Sequence, residues 1–229
     1  MNESEAPPPS WHGDVAPPAT GIRRREGVLL ALATGVAVAT GGVATRARAA
    51  EPDPASAPIT AFYAVLLQTM KLAATLPTKA RYEKLDPAVR TTFDLPAMTR
   101  IAVGPAWTSL PAESQQALVQ QFSRMTIATY ASRFDGYGGE HLEVEPAAEE
   151  RGANRVVHTR LVQVKGGPVV LNYLMHPTAD GWKAIDVYLS GTISELATRR
   201  SEFGGLLRSG GAEGLITDLR QRTDKLLAR

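Results

Sequence analysis

The sequence contains no cysteine. Disulfides, thiolate zinc sites, thiol catalysis and lipidation of a mature N-terminus are therefore all excluded. Aromatic residues are sparse, with five Phe, six Tyr and three Trp in 229 residues. An excess of one charge is missing too. Lys and Arg total 25 against 23 Asp and Glu, and residues 50–229 keep 20 and 19 of these. The pI near 9.0 thus reflects a small surplus of base. No basic stripe interleaved with aromatics occurs, so nucleic acid gains no support as a partner. The four histidines, His12, His141, His158 and His176, have no His or Cys at metal-ligand spacing. HExxH, GxSxG and P-loop motifs are absent as well. No cofactor is implied, and no internal repeat is visible.

What is present begins with an export signal. Residues 1–20 are rich in Pro and Ala, Arg23-Arg24-Arg25 follows, and Gly27 to Thr45 carries no charge. Ala47-Arg48-Ala49 then places small residues where a signal peptidase reads them. Residues 1–49 are expected to be a signal peptide with a long n-region, cleaved after Ala49. Arg24-Arg25-Glu26-Gly27 fits the full twin-arginine pattern poorly, so Sec export is at least as well supported. An uncleaved anchor is the alternative, since the 19 uncharged residues would just span a bilayer. Its Gly and Thr content argues against that. Residues 50–58 read as a proline-rich linker too irregular to pack, and 59–229 as one domain.

The periodicity of the domain changes halfway along. Phe62, Val65, Leu66, Met70 and Ala73 predict a helix over Ile59–Leu76. A second helix is expected over Thr78–Phe93, broken or restarted at Pro87, and a short one over Asp94–Val103. The longest helix opens near Ser109 and runs through Asp135, with Leu118, Phe122, Met125 and Phe134 on it, before Gly136-Tyr-Gly-Gly139. Strands follow over Leu142–Pro146, Arg155–Val164, Val169–His176 and Trp182–Leu189, joined by short turns. The Asp180-Gly181 pair favours a tight hairpin. Gly191 breaks the last strand, and helices over Thr192–Arg208 and Ala212–Leu227 close the chain. Helices, then an antiparallel meander, then helices give an α+β domain, a curved sheet packed by helices.

Catalytic chemistry has one candidate. Asp186, on an alternating strand, would be the base of a small cone-fold isomerase or hydratase, but it lacks a defined acid partner. A structural role weighs more. Gly136-Tyr-Gly-Gly139 follows a helix, so it reads as a helix end rather than a phosphate loop. Arg199, Arg200, Arg220, Arg222 and Lys225 read as a solvated face, with an anionic partner as the minority reading.

A series of short blocks resembles one family. They are Arg81-Tyr82 with Leu85, Thr92-Phe-Asp-Leu95 with Met98, Gly104-Pro-Ala-Trp107, and Gln115-Gln116 to Phe122. Tyr130-Ala131 with Phe134 and Tyr137-Gly-Gly-Glu140 follow, then Gly181-Trp-Lys-Ala-Ile-Asp-Val187, and Gly191-Thr-Ile-Ser194 through Arg199-Arg-Ser-Glu-Phe203. Gly211 and Gly214-Leu-Ile216 complete the pattern. In order and spacing these resemble the MlaC/toluene-tolerance family of periplasmic lipid-binding proteins, closest to its hopanoid-associated HpnM branch. The resemblance implies an NTF2-like cone with an apolar cavity between sheet and helices. It also implies a periplasmic carrier, monomeric and not an enzyme, that moves a hopanoid or phospholipid between a membrane-bound transporter complex and an outer-membrane acceptor. The expected lining is Phe122, Met125, Tyr130, Phe134, Tyr137, Val157, Leu161, Val169, Leu171, Tyr173, Ile185 and Val187. Taken alone, these residues would equally fill an ordinary core, as in a structural envelope protein.

Overall fold

A computed structural model describes residues 51–228. The expected signal peptide and its cleavage site lie outside the described residues. Helix α1 spans Ser56–Lys71, α2 Thr78–Thr92, α3 Leu95–Val103 and α4 Ala112–Arg133, with a 3-10 turn over Gly104–Ser109. Strands β1 (His141–Val144), β2 (Glu149–Arg151), β3 (Asn154–Val157), β4 (Thr159–Val162), β5 (Val169–Thr178), β6 (Gly181–Leu189) and β7 (Ile193–Ser194) precede α5 (Glu195–Leu227). Every strand pairing is antiparallel. The fold class is thus the expected one: mixed helices packed on an open, curved antiparallel sheet.

Three expectations need correction. The segment 50–58 was expected not to pack, yet Ala55 and Ser56 are buried. Asp53 fixes it, pairing with Arg155 and donating its N–H to Pro146 O at 2.7 Å. Proline restricts a chain without preventing it from docking. Second, α2 runs unbroken through Pro87. Third, the strand expected over Arg155–Val164 is two strands divided at His158. There the ladder gives way to side chains: Thr159 Oγ1 donates to Leu171 O, and Thr159 N–H donates to Asn172 Oδ1 at 3.4 Å. The carbonyl of His158 accepts instead from Glu145 N. β5 therefore pairs with β4 near Val169 and with β3 near Tyr173. Such local breaks let a sheet curve.

The β5–β6 hairpin turns at Ala179-Asp180, one residue earlier than the Asp180-Gly181 expectation, and Gly181 opens β6 with φ +109°. A register shift beyond Leu174 makes Ile185 an extra residue between the partners of Leu174 and Met175. At the far end, Ser190 and Gly191 both adopt positive φ, and β6 folds back on β7. The terminal helices meet as expected at the glycine pair, with a kink at Gly211 (φ 62°, ψ −163°).

Local chemistry explains where the helices start. Asp94 caps α3 by accepting from Ala97 N–H at 3.0 Å, with Pro96 in the first turn. Asp94 N–H also donates to Ala184 O, tying the α2–α3 junction to the edge of β6. Ser194 caps α5 through Ala197 N–H. α4 buries residues on most of its circumference, including Leu118, Phe122, Met125, Ile127, Ala128 and Ala131. That suits a helix enclosed by neighbours rather than one lying on a surface.

Candidate lipid-binding site

Six of the fourteen aromatic side chains converge between α1, α2, α4 and the inner face of β5. α1 supplies Phe62 and Tyr63, the C-cap of α2 supplies Phe93, α4 and its C-cap supply Tyr130 and Phe134, and β5 supplies Tyr173. Phe62 meets Phe93 and Tyr130 edge to face, at 5.4 and 5.1 Å between centroids. Tyr130 and Phe134 stack nearly parallel at 5.8 Å. Phe62, Phe93 and Tyr173 are fully buried, whereas Tyr130 and Phe134 are only half-buried and close one side of the cluster.

Hydroxyls run through this aromatic interior. Tyr63 Oη lies 2.6 Å from Thr159 Oγ1 and 3.1 Å from Tyr173 Oη. Buried hydroxyls are costly unless paired, and these pair with one another. Burial pushes Tyr63 up to about 12, and its hydrogen bonds with Thr159 and Tyr173 only partly oppose it. Burial likewise raises Tyr130 and Tyr173. All three stay neutral at physiological pH, so the interior is uncharged but not purely hydrocarbon.

Below the cluster, Arg81 is buried without a carboxylate. Its Nε donates to Ala131 O at 2.9 Å, Nη1 donates to Leu76 O, and Nη2 donates to Thr78 Oγ1. A cation on the Ala131 carbonyl in the last turn of α4 is favourably placed against the helix dipole. It holds the end of α4 that carries Tyr130 and Phe134.

The expected lining residues divide into groups. Tyr130, Phe134 and Tyr173 meet in the aromatic interior. Val157, buried, pairs with Tyr173 across the sheet; Tyr173 also pairs with buried Val187, and Leu171 with Leu189. Leu161 pairs with half-buried Val169 nearer the β4–β5 turn. Phe122 instead packs edge to face on Phe203 of α5, at 6.3 Å. Met125, buried, is a further core residue of α4. Tyr137 is exposed, its ring 5.3 Å from Lys71 Nζ. Ile185 falls at the bulge, so Ala184 rather than Ile185 stands opposite Met175. Period-two counting fails across such a bulge.

Sequence reasoning missed Phe62, Tyr63, Phe93 and Thr159 as members of this interior. Their signal was scarcity: in a chain poor in aromatics, Phe62-Tyr63 stand adjacent on a helix. Asp186, the catalytic candidate, accepts from Val187 N–H (2.8 Å), Ser194 Oγ (2.5 Å) and Leu196 N–H (3.1 Å). Its carboxylate thereby secures the start of α5. Two open surface grooves, of about 370 and 340 Å³, contain none of the twelve expected residues. The first runs along Glu143–Pro146, and the second lies between the α2–α3 junction and the β5–β6 turn.

A curved antiparallel sheet backed by helices around a shared, uncharged interior defines an α+β fold of mixed class. Its family is equally clear. The MlaC protein family model matches residues 61–221, and the chain belongs to that family. Among solved structures, the chain is similar to the phospholipid-binding protein from Ralstonia solanacearum, determined in complex with a phospholipid. The two share 25% identity with a TM-score of 0.66, over 75% of this chain and 98% of the other. No curated protein is significantly similar to this chain.

Proposed function

We propose that this protein is an exported, periplasmic lipid carrier that takes acyl chains or a hopanoid between its sheet and helices. It would pass them between inner- and outer-membrane transport complexes. The observation that carries the reading is the likeness to a phospholipid-bound neighbour along nearly the whole length of that neighbour. The aromatic interior suits the task. Moving an acyl chain through water forfeits about 0.8 kcal/mol per methylene unless the protein supplies matching apolar contact. Tyr130 and Phe134, half-buried at the C-terminal end of α4, are the rings that swing aside most cheaply to admit a chain. The hydroxyls of Tyr63, Tyr130 and Tyr173 offer a polar point to a cargo with its own hydroxyl, which is the feature that would favour a hopanoid of the HpnM branch over a plain phospholipid.

Binding rather than catalysis is favoured by Asp186, since its oxygens serve backbone and serine donors. The test is mass spectrometry of the intact protein isolated from its own host and after incubation with phospholipid vesicles. A bound lipid mass of defined stoichiometry is expected. Protein that carries no lipid in either preparation sinks the carrier reading.

A further inference from the structure

Among the described residues, two charged side chains are buried, Arg81 and Asp186. Asp186 serves the start of α5. Arg81 is 7% exposed, and no carboxylate offsets the cost of taking its guanidinium out of water. What it has instead is three acceptors in three places: Leu76 O in the α1–α2 turn, Thr78 Oγ1 at the start of α2, and Ala131 O in the last turn of α4. The third is the informative one. The last backbone bond at that end of α4 runs from Phe134 N–H to Tyr130 O, at 3.0 Å. The next carbonyl, that of Ala131, is taken by Arg81 Nε at 2.9 Å, where a continuing helix would supply the N–H of Asp135. Arg81 is thus the side-chain cap that ends α4, and it acts between Tyr130 and Phe134. Beyond Phe134 the chain runs into Gly136-Tyr-Gly-Gly139, where three of four residues have no side chain to hold it.

We propose that Arg81 is a positioning residue for lipid exchange: by ending α4 at Phe134 it keeps the Tyr130–Phe134 stack shut, and so sets how fast cargo enters and leaves without touching the cargo. The purpose assigned to it rests on the carrier reading; its hold on the end of α4 can be tested without that reading. The two rings are held unequally. Tyr130 meets Phe62 at 5.1 Å and Phe93 at 5.8 Å, so α1 and the end of α2 fix it from two sides. The ring contact of Phe134 is with Tyr130 alone, so its place follows from where the helix stops. The same guanidinium reaches the corner that joins α1 to α2. It therefore ties together the three helices that supply five of the six rings, Phe62, Tyr63, Phe93, Tyr130 and Phe134. Only a planar fork of donors serves acceptors in three directions at once; an ammonium group keeps the charge and loses that geometry.

The test compares Arg81→Gln and Arg81→Lys with wild type in stopped-flow transfer of a fluorescent phosphatidylethanolamine between protein and phospholipid vesicles. Arg81→Gln should exchange lipid about fivefold faster, the order expected from losing one net hydrogen bond, with equilibrium occupancy unchanged. Arg81→Lys should fall between. Phe203→Ala, which loses stability in the α4–α5 seam, should exchange at the wild-type rate. Arg81→Gln at the wild-type rate overturns the proposal. So does equal acceleration in Phe203→Ala, which would make lost stability the cause, and so does a fall in occupancy, which would make Arg81 a contact of the lipid itself. The second arm needs no lipid. The chain has no cysteine, and a side chain added at Gly136 meets nothing within 4 Å, so Gly136→Cys takes a single spin label. That label should gain mobility in Arg81→Gln, while one at Gly205→Cys on α5 stays unchanged. No gain at 136, or an equal gain at 205, overturns the hold on α4. Should Arg81→Gln not fold, Arg81→Lys carries both arms, and wild-type behaviour in it overturns the proposal. If wild type takes up no lipid, the carrier reading fails, and the label at 136 still decides whether Arg81 secures the end of α4.

Discussion

Two parts of the interior are built from different materials. Between α4 and α5, Phe122 meets Phe203 amid Leu118, Leu215, Ile216 and Leu219, all buried. Between α1, α2, α4 and β5 the filling is mostly aromatic, threaded with hydroxyls, and closed on one side by half-buried Tyr130 and Phe134. The first is a mainly aliphatic seam, its buried Thr223 satisfied by donating to Leu219 O, with neither of its two rings partly exposed. In the second, every ring except those of Tyr130 and Phe134 is enclosed, and the hydroxyl chain ties α1 to the sheet. Both lie in one core, so the contrast concerns where it can open. A close-packed seam yields only by losing contacts outright, whereas a stack that is already partly exposed gives up fewer of them.

Mutation should separate the two parts, and the largest effect belongs to the seam. Phe203→Ala removes a fully buried ring and should cost about 3–5 kcal/mol in denaturant unfolding. The fraction that remains folded should load lipid normally. A loss of lipid stoichiometry with little loss of stability would reverse the assignment of the two regions.

Next in size is the anchor that joins sheet to seam. Asp186→Ala strands the N–H groups of Val187 and Leu196, which are then left to find other partners. A destabilisation of about 3 kcal/mol is expected, from unsatisfied donors at about 1–3 kcal/mol each. Because the lost interactions secure the start of α5, hydrogen exchange should rise first at Glu195–Arg199.

The hydroxyl chain should show itself in alkali. Tyr63 ionises near 10.0 when unfolded and at about 12 when folded, because burial disfavours its anion. Above pH 10 the unfolded chain therefore holds fewer protons than the native one, and stability falls as pH rises towards 12. The loss attributable to Tyr63 is about 2–3 kcal/mol, at about 1.4 kcal/mol for each pH unit of difference. Stability should not respond to this group below pH 9. Tyr63→Phe should flatten the alkaline limb, and an unchanged limb would mean that the hydroxyl is not enclosed.

Much of this was legible in the residues. Helix positions followed from apolar spacing, and the strand meander from alternation with turn signals between. The start of α3 followed from Pro96 near its first turn, and the break between the terminal helices from Gly210-Gly211. The misses share a cause, because each depends on contacts distant in sequence. The division at His158 arises where Thr159 and Asn172 side chains replace ladder bonds, and nothing within 155–164 announces it. The bulge at Ile185 shifts which residue faces inward, which a fixed period of two cannot register. Phe122 and Tyr130 lie on one helix, but only the packing of α5 shows that Phe122 faces a different neighbour. Ala55 and Asp53 look like linker until Arg155 and Pro146 stand beside them.

The smallest change in stability should bring the most specific change in binding. Phe134 sits at the C-cap of α4 with φ −101° and ψ 64°, half-buried, stacked on Tyr130 and followed by Gly136. Truncating a partly exposed ring should cost only about 1–2 kcal/mol, well below the cost for a fully enclosed phenylalanine. If the stack closes the interior, Phe134→Ala leaves Tyr130 without its partner and the site standing more open. Lipid should then enter and leave faster, with exchange between protein and vesicles accelerated severalfold and equilibrium occupancy little changed. Phe134→Leu, which restores bulk without the aromatic face, should give an intermediate rate. Stopped-flow transfer of a fluorescent phospholipid measures both. Should Phe134→Ala exchange lipid at the wild-type rate while Phe203→Ala alters it, the opening lies in the α4–α5 seam and the contrast between the two regions is inverted.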